Sequence, residues 1–136
     1  MNIGVSTSCF YPLETELALE KIGKSGVKTT EIFFNATSEL KPAFVDILSD
    51  IQKEYGINVT SIHPTMSLAE SFMIFSEYER RFRESLNNFA RYSEIAAELG
   101  IPETVKVAAG AGDNAAAAVG TGTVGDGMCN ISLGTS

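Results

Sequence analysis

Several residue types are scarce in this chain, and their scarcity excludes certain kinds of site. Tryptophan is absent, and the 136 residues include one histidine and two cysteines. A histidine-rich metal cluster is therefore excluded, and Cys9 and Cys129 are too far apart for a CxxC motif. We interpret both as free buried thiols, which suits a reducing cytoplasm.

Positive charge is also in short supply. Ten Lys and Arg residues stand against seventeen Asp and Glu residues, for a net charge of −7. This balance opposes binding to nucleic acid or to an anionic membrane, because both require positive surface. No stretch approaches the roughly 20 apolar residues of a membrane span, and no targeting segment is recognisable. We therefore expect a cytoplasmic protein with a small-molecule partner.

Strand and helix periods alternate over the first hundred residues. Residues 3–7, 27–34 and 57–62 have the composition of strands. A helix is predicted after each, since Gly26 and Gly56 stand where helices end and Pro42 stands where one begins. Three strand–helix units in series predict an α/β fold with a parallel sheet, and ligands gather at the carboxyl ends of such strands.

The long third helix, over residues 77–99, is predicted to be amphipathic. Its apolar side is expected to comprise Phe82, Leu86, Phe89, Ala90, Ala96 and Ala97. Residues 105–109 are predicted to join the first three strands as a fourth parallel strand, giving a three-layer α/β unit. An open sheet of this kind exposes a parallel edge, which favours a homo-oligomer or aggregation.

Two side chains at strand ends are candidates for a site. His63 ends the third strand before a proline, which suits a metal ligand or a substrate hydrogen bond, but a histidine bonded to backbone fits equally well. Glu31 lies among apolar strand residues, where a buried carboxylate needs a partner. A half-exposed glutamate near a strand end remains an equal alternative.

Residues 1–100 resemble the first three βα units of the xylose isomerase-like TIM barrels, the sugar phosphate isomerase and epimerase superfamily that also includes endonuclease IV. The resemblance is carried by the opening strand at 2–6, the strand at 26–32 with Glu31, Val-Thr-Ser-Ile-His-Pro at 59–64 and Ala-Ala-Glu-Leu-Gly at 96–100. It implies that His63 lies at the substrate or metal mouth, with a divalent metal as cofactor. The family's other metal ligands come from later strands, which this chain does not show.

Residues 101–136 resemble a different family. Gly-Asp-Asn at 112–114 and Leu-Gly-Thr-Ser at 133–136 are similar to the first domain of FGGY carbohydrate kinases, xylulokinase above all, which has a ribonuclease H-like fold. The resemblance implies that Asp113 is the catalytic base and that Gly134 and Thr135 approach the phosphates of ATP with its Mg²⁺. Without it, Asp113 is simply a helix cap.

The two resemblances lead to three functional hypotheses. The chain is a sugar phosphate isomerase or epimerase, an ATP-dependent sugar kinase acting on a ketose through Asp113, or a non-enzymatic fusion of a partial TIM barrel (1–100) and a partial kinase segment (101–136). Each family builds its site from segments that are missing here. We therefore expect a protein of carbohydrate metabolism that binds a sugar or sugar phosphate without a complete active site.

Overall fold

The computed structural model describes residues 3–64, 76–105, 122 and 125–128. The chain divides into two compact units, Met1–Thr104 and Val105–Ser136. In the second unit the backbone N–H of Met128 donates to the carbonyl of Gly125 at 3.2 Å, which closes a tight turn. The predicted site residues Asp113, Gly134 and Thr135, the second cysteine Cys129 and residues 106–109 of the predicted fourth strand lie outside the described residues.

The first unit contains a three-stranded parallel sheet, so the predicted α/β class is confirmed. Its strands are β1 (Val5–Ser6), β2 (Thr29–Phe33) and β3 (Asn58–His63), in the order β1-β2-β3. β1 is shorter than predicted, because a 3₁₀ helix, Thr7–Phe10, begins directly after it. The Ser6 hydroxyl accepts a hydrogen bond from the N–H of Ser8 at 3.4 Å, and such local bonds compete with a strand ladder.

Three α-helices alternate with the strands in the described residues: α1 (Thr15–Lys24), α2 (Pro42–Tyr55) and α3 (Glu79–Glu98). A second 3₁₀ helix, Thr37–Leu40, precedes α2. The predicted helix ends are confirmed, since Gly26 and Gly56 have φ angles of 84° and 61°, which only glycine adopts without strain. Among the described helices, none is long and apolar enough to cross a membrane.

The core lies on one face of the sheet. Ile32, Phe34 and Val59 supply its strand side, and all three helices pack on them through one cluster of buried residues: Leu19, Val45, Leu48, Ile51, Tyr92, Ile95 and Leu99. The described part of the first unit therefore has two layers, whereas three were expected. The candidate site residues Glu31 and His63 lie on the opposite face of the sheet.

The predicted apolar side of α3 is correct only in part: Phe82, Phe89 and Ala96 are half-buried, and Ala96 packs against the core. Leu86 is 50% exposed and Ala90 and Ala97 are exposed, whereas Tyr92 and Ile95 are buried. The rotation of this helix is fixed by tertiary contacts that a sequence period does not contain. One such contact is the hydrogen bond from Arg91 Nε to the carbonyl of Leu40, at 2.8 Å.

One smaller expectation near the amino terminus is also wrong. Cys9 is a free thiol but an exposed one, because it lies in the 3₁₀ helix after β1 and not in the core. On α1, Ala18, Leu19 and Ile22 are buried and form the core face, whereas Leu17 is 45% exposed.

Candidate functional site

The pairing of β2 and β3 contains an irregularity at the point where the site begins. Thr30 pairs with Val59, but the next residue, Glu31, pairs with Ser61, so Thr60 has no partner of its own. Its hydroxyl donates to the carbonyl of Thr30 at 3.3 Å. This is a β-bulge in β3, a feature that re-aims the side chains following it.

The bulge determines which side chains share a face. Because side chains alternate along a strand, one extra residue reverses the facing of every later position. Ser61 and His63 consequently lie on the same face as Glu31 and Phe33, and Ile62 packs against the core. We call the set of Glu31, Phe33, Ser61 and His63 the mouth face, since Phe33 and His63 are the last residues of their parallel strands.

Polar groups form a row across the inner part of the mouth face. The Ser61 hydroxyl donates to Oε2 of Glu31 at 3.0 Å. Ser6 of β1 is the Cα partner of Glu31 on its other side, so the row runs from β3 through β2 to β1. Glu31 is half-buried, so its carboxylate is both held by a neighbour and accessible from solvent. This arrangement presents hydrogen-bond acceptors and donors side by side, as hydroxyl-rich ligands require.

An aromatic pair forms the outer part of the mouth face. The His63 imidazole stacks on the Phe33 ring, with centroids 4.4 Å apart and planes inclined by 20°. Nδ1 of His63 lies 2.9 Å from the carbonyl oxygen of Pro64, and a carbonyl only accepts, so Nδ1 carries a proton. In the neutral ring Nε2 then holds the lone pair. His63 is therefore bonded to the backbone, which is one of the two alternatives for it, and its ring is also exposed to solvent.

The mouth face offers few ligands for a metal ion. Across the described ranges, no group of three or more His, Cys, Asp and Glu side chains is close enough to hold one. Glu31 and His63 supply one carboxylate and one imidazole, whereas catalytic zinc sites use three protein ligands. The metal role expected for His63 therefore gains no support from further ligands in the described part of the chain.

A buried carboxylate that the sequence did not single out lies next to the mouth face. Glu39 is 5% exposed, and its carboxylate accepts hydrogen bonds from the Thr15 hydroxyl and from the backbone N–H groups of Asn35 and Ala36. Glu39 reaches back to the N–H of Ala36 as the glutamate of a capping box does, but Ala36 lacks the polar side chain of that sequence signature, so the sequence offers no clear signal for it.

A shallow groove of about 350 Å³ lies elsewhere, where α2 meets the end of α3. Gln52, Lys53 and Glu98 contribute its polar lining, and Gln52 Nε2 donates across it to the carbonyl of Leu99 at 3.2 Å. No residue of the mouth face lines this groove. It therefore belongs to the packing of the helices and not to the candidate site.

Of the predicted site residues, the structure brings Glu31 and His63 together on the mouth face. Asp113, Gly134 and Thr135 cannot be placed beside them, since they lie outside the described residues. Phe33 and Ser61 were missed as individual site residues. Phe33 reads as an ordinary apolar strand residue, and Ser61 reaches Glu31 only because of the bulge. Comparison with protein-family models, with curated proteins and with solved structures finds no match to this chain.

Proposed function

We propose that this chain is a sugar-binding protein, related to the sugar phosphate isomerases and epimerases, that holds a small sugar on the mouth face without completing its turnover. The observation that carries the proposal is the shared face of Glu31, Phe33, Ser61 and His63 at the carboxyl end of a parallel sheet. Ligands of parallel α/β folds bind at this end of the strands.

The chemistry of the mouth face suits a sugar. A carboxylate and a hydroxyl in contact, Glu31 and Ser61, can bind two neighbouring sugar hydroxyls. The exposed ring edge of His63 offers a further polar atom, and the Phe33 ring beneath it offers apolar surface. Small-molecule sites generally combine apolar walls with a few convergent polar groups in this way.

Turnover by the isomerase route needs more groups than the mouth face has. Moving a proton between two sugar carbons requires a base, an acid and a means of stabilising the developing charge. The described residues offer Glu31 and His63 for these roles and no set of ligands for a divalent cation. We therefore derive no metal-dependent step and assign binding alone to this part of the chain.

The kinase hypothesis remains a second candidate on the strength of its resemblance. Asp113 as base and Gly134 and Thr135 near ATP phosphates form a coherent phosphoryl-transfer arrangement. The division of the chain into Met1–Thr104 and Val105–Ser136 favours treating that segment separately from the mouth face. A non-enzymatic fusion product is the third candidate, and it is compatible with binding at the mouth face.

The test is to titrate the full chain with xylose, xylulose and xylulose phosphate in turn and to monitor its resonances by NMR. We expect saturable changes in the resonances of His63 and of the Ser61 amide. Glu31→Gln keeps the size of the side chain but removes its charge, so we expect affinity to fall about tenfold, as for loss of one charge-assisted hydrogen bond. Glu84→Gln is the matched control, because Glu84 is an exposed glutamate on α3 away from the strands.

Two further assays address turnover. We expect neither aldose–ketose interconversion with added Mn²⁺ nor sugar-dependent ATP consumption. Absence of any saturable change with all three sugars would overturn the binding proposal. Turnover that depends on Glu31 or His63 would contradict the claim of an incomplete site, and turnover that depends on Asp113 would favour the kinase hypothesis.

A further inference from the structure

Buried polar side chains converge on the exit of β2. Three of them, Thr7, Thr15 and Glu39, are 3%, 1% and 5% exposed, and each bonds to the backbone around Phe33 or to a group that does. A buried polar group is costly unless it is paired, so such a concentration needs an explanation. Ordinary packing of the core does not supply one, because the core cluster is apolar.

Glu39 is the centre of this arrangement. Its Oε1 accepts the hydroxyl proton of Thr15 at 2.9 Å. Its Oε2 accepts the N–H of Asn35 at 2.6 Å and the N–H of Ala36 at 3.2 Å. The carboxylate therefore joins the first residue of α1 to the two residues that follow Phe34.

Side chains hold both polar backbone groups of Phe33, its N–H and its carbonyl. The Phe33 N–H donates to the Thr7 hydroxyl at 2.9 Å, and the Phe33 carbonyl accepts from Asn35 Nδ2 at 3.2 Å. Asn35 Nδ2 also donates to the Thr15 hydroxyl oxygen at 3.1 Å. The single proton of that hydroxyl faces Glu39 Oε1 at 2.9 Å and the Phe33 carbonyl, the longer contact, at 3.4 Å.

We propose that Glu39 is a positioning residue for the mouth face: through Thr15 and Asn35 it fixes the Phe33 backbone and so sets the stacking of Phe33 on His63. His63 on the neighbouring strand β3 is held at the same end of the sheet, since the Phe34 N–H donates to the His63 carbonyl at 3.1 Å. Glu39 does not touch a ligand in this scheme. The inference rests on the proposed function for its consequence, tighter sugar binding, but the stacking itself can be measured without a sugar.

The test compares two buried threonines by NMR and by urea unfolding. Thr15→Val removes the hydroxyl bonded to Glu39. Thr30→Val, the matched control, removes a hydroxyl that donates to the Val5 carbonyl from an equally buried position on the same strand as Phe33. We expect both variants to lower the unfolding midpoint comparably. Only Thr15→Val should move the His63 ring protons towards unstacked values and weaken sugar binding.

Substitutions of Glu39 itself test the hydrogen-bonding basis. Glu39→Ala should displace the His63 ring resonances, and Glu39→Gln should leave them near wild type, because the amide oxygen can accept both N–H groups and its NH₂ can donate to Thr15. If Glu39→Ala does not fold, Thr15→Val decides the matter.

The proposal is overturned if Thr15→Val lowers the unfolding midpoint while the His63 resonances stay at wild-type positions. It is also overturned if Glu39→Gln displaces them as fully as Glu39→Ala. If the wild-type chain binds no sugar but Thr15→Val and Glu39→Ala displace the His63 resonances as expected, the proposed function is removed and the positioning role stands.

Discussion

The imidazole of His63 stacks on the ring of Phe33 across two neighbouring parallel strands, with the ring centroids 4.4 Å apart. Each residue ends its strand, and the β-bulge at Thr60 is what brings them to the same face. Replacing Thr60 by another residue would keep this register, because the extra position remains. Because the two rings can stack only when they share a face, the stack reports directly on the geometry that the proposed binding site requires.

Phe33→Leu should abolish the stack while keeping an apolar side chain at that position. We expect the His63 ring protons to lose their upfield ring-current shift, and the free energy of unfolding to fall by about 1 kcal/mol, as for loss of an aromatic pair. Proton NMR and urea unfolding measure the two effects. Phe44→Leu is the control, since Phe44 packs against the core from α2; equal changes at His63 in both variants would contradict the assignment.

Ser61→Ala should affect the site through Glu31. The variant removes the donor at 3.0 Å from Oε2, which leaves a half-buried carboxylate with one bond fewer. We expect a loss of about 1 kcal/mol in unfolding free energy and weaker sugar binding. Ser93→Ala offers a comparison, because the hydroxyl of that exposed serine donates to the Phe89 carbonyl of its own helix. Retention of full affinity in Ser61→Ala would argue against a polar row in the site.

Gly23→Ala tests the close packing of α1 on α2. Gly23 is buried, and a Cβ there would lie 2.7 Å from Cβ of Tyr55 and would also overlap Cγ. Since Cβ and Cγ lie next to the backbone, they cannot swing away as the tip of a flexible chain could. We expect a destabilisation of about 1–3 kcal/mol, as for overpacking of a core, by urea unfolding.

A double-mutant cycle separates this clash from other effects of the substitution. Tyr55→Ala removes Cγ, so Gly23→Ala should cost less in the Tyr55→Ala background than in wild type. Additive losses would show that the contact between the two helices is not the cause.

Arg91→Lys should loosen α3 from the segment before α2. Arg91 is mostly buried and donates from Nε to the Leu40 carbonyl at 2.8 Å, and from one terminal nitrogen to Glu98 and Glu94. The hydrogen bond to Glu98, ahead of the other causes, raises the pKa of Arg91, so the guanidinium stays charged. Lysine cannot reproduce this fork.

We expect Arg91→Lys to lower the free energy of unfolding by about 1–2 kcal/mol, the cost of hydrogen bonds to charged groups that are lost. Urea unfolding measures it, with Arg83→Lys as the control because the Arg83–Glu79 pair is exposed on both sides. Exposed pairs contribute little, so equal losses in the two variants would contradict a special role for Arg91.

Local signals in the sequence were sufficient for the order of the strands and α-helices in the described part of the first unit, but not for the two 3₁₀ helices. Pro42 begins α2 and Gly56 ends it, since proline and glycine act through the geometry of their own backbone. The rotation of α3 was not predictable in this way. It depends on what Tyr92 and Ile95 contact in the core, and one such contact of Tyr92 is the ring of Phe34, far away along the chain.

The candidate site was predictable in part, because two of its residues also carry a local signal. Glu31 and His63 stand out because a charged or titratable side chain at a strand end is unusual in an apolar strand. Ser61 does not stand out, because regular alternation would place it on the face opposite Glu31, and a bulge has no strong local sequence signal. Glu39 was overlooked because its partners, Thr15 and Asn35, belong to separate elements.

Saturation-transfer difference NMR on the full chain with xylulose tests the central claim most directly, because it reports which sugar protons lie against the protein. We predict transfer to the sugar in wild type, reduced strongly in both Phe33→Leu and Glu31→Gln and unchanged in Glu84→Gln. Transfer that is equal in all four proteins, or absent in wild type, would contradict the account.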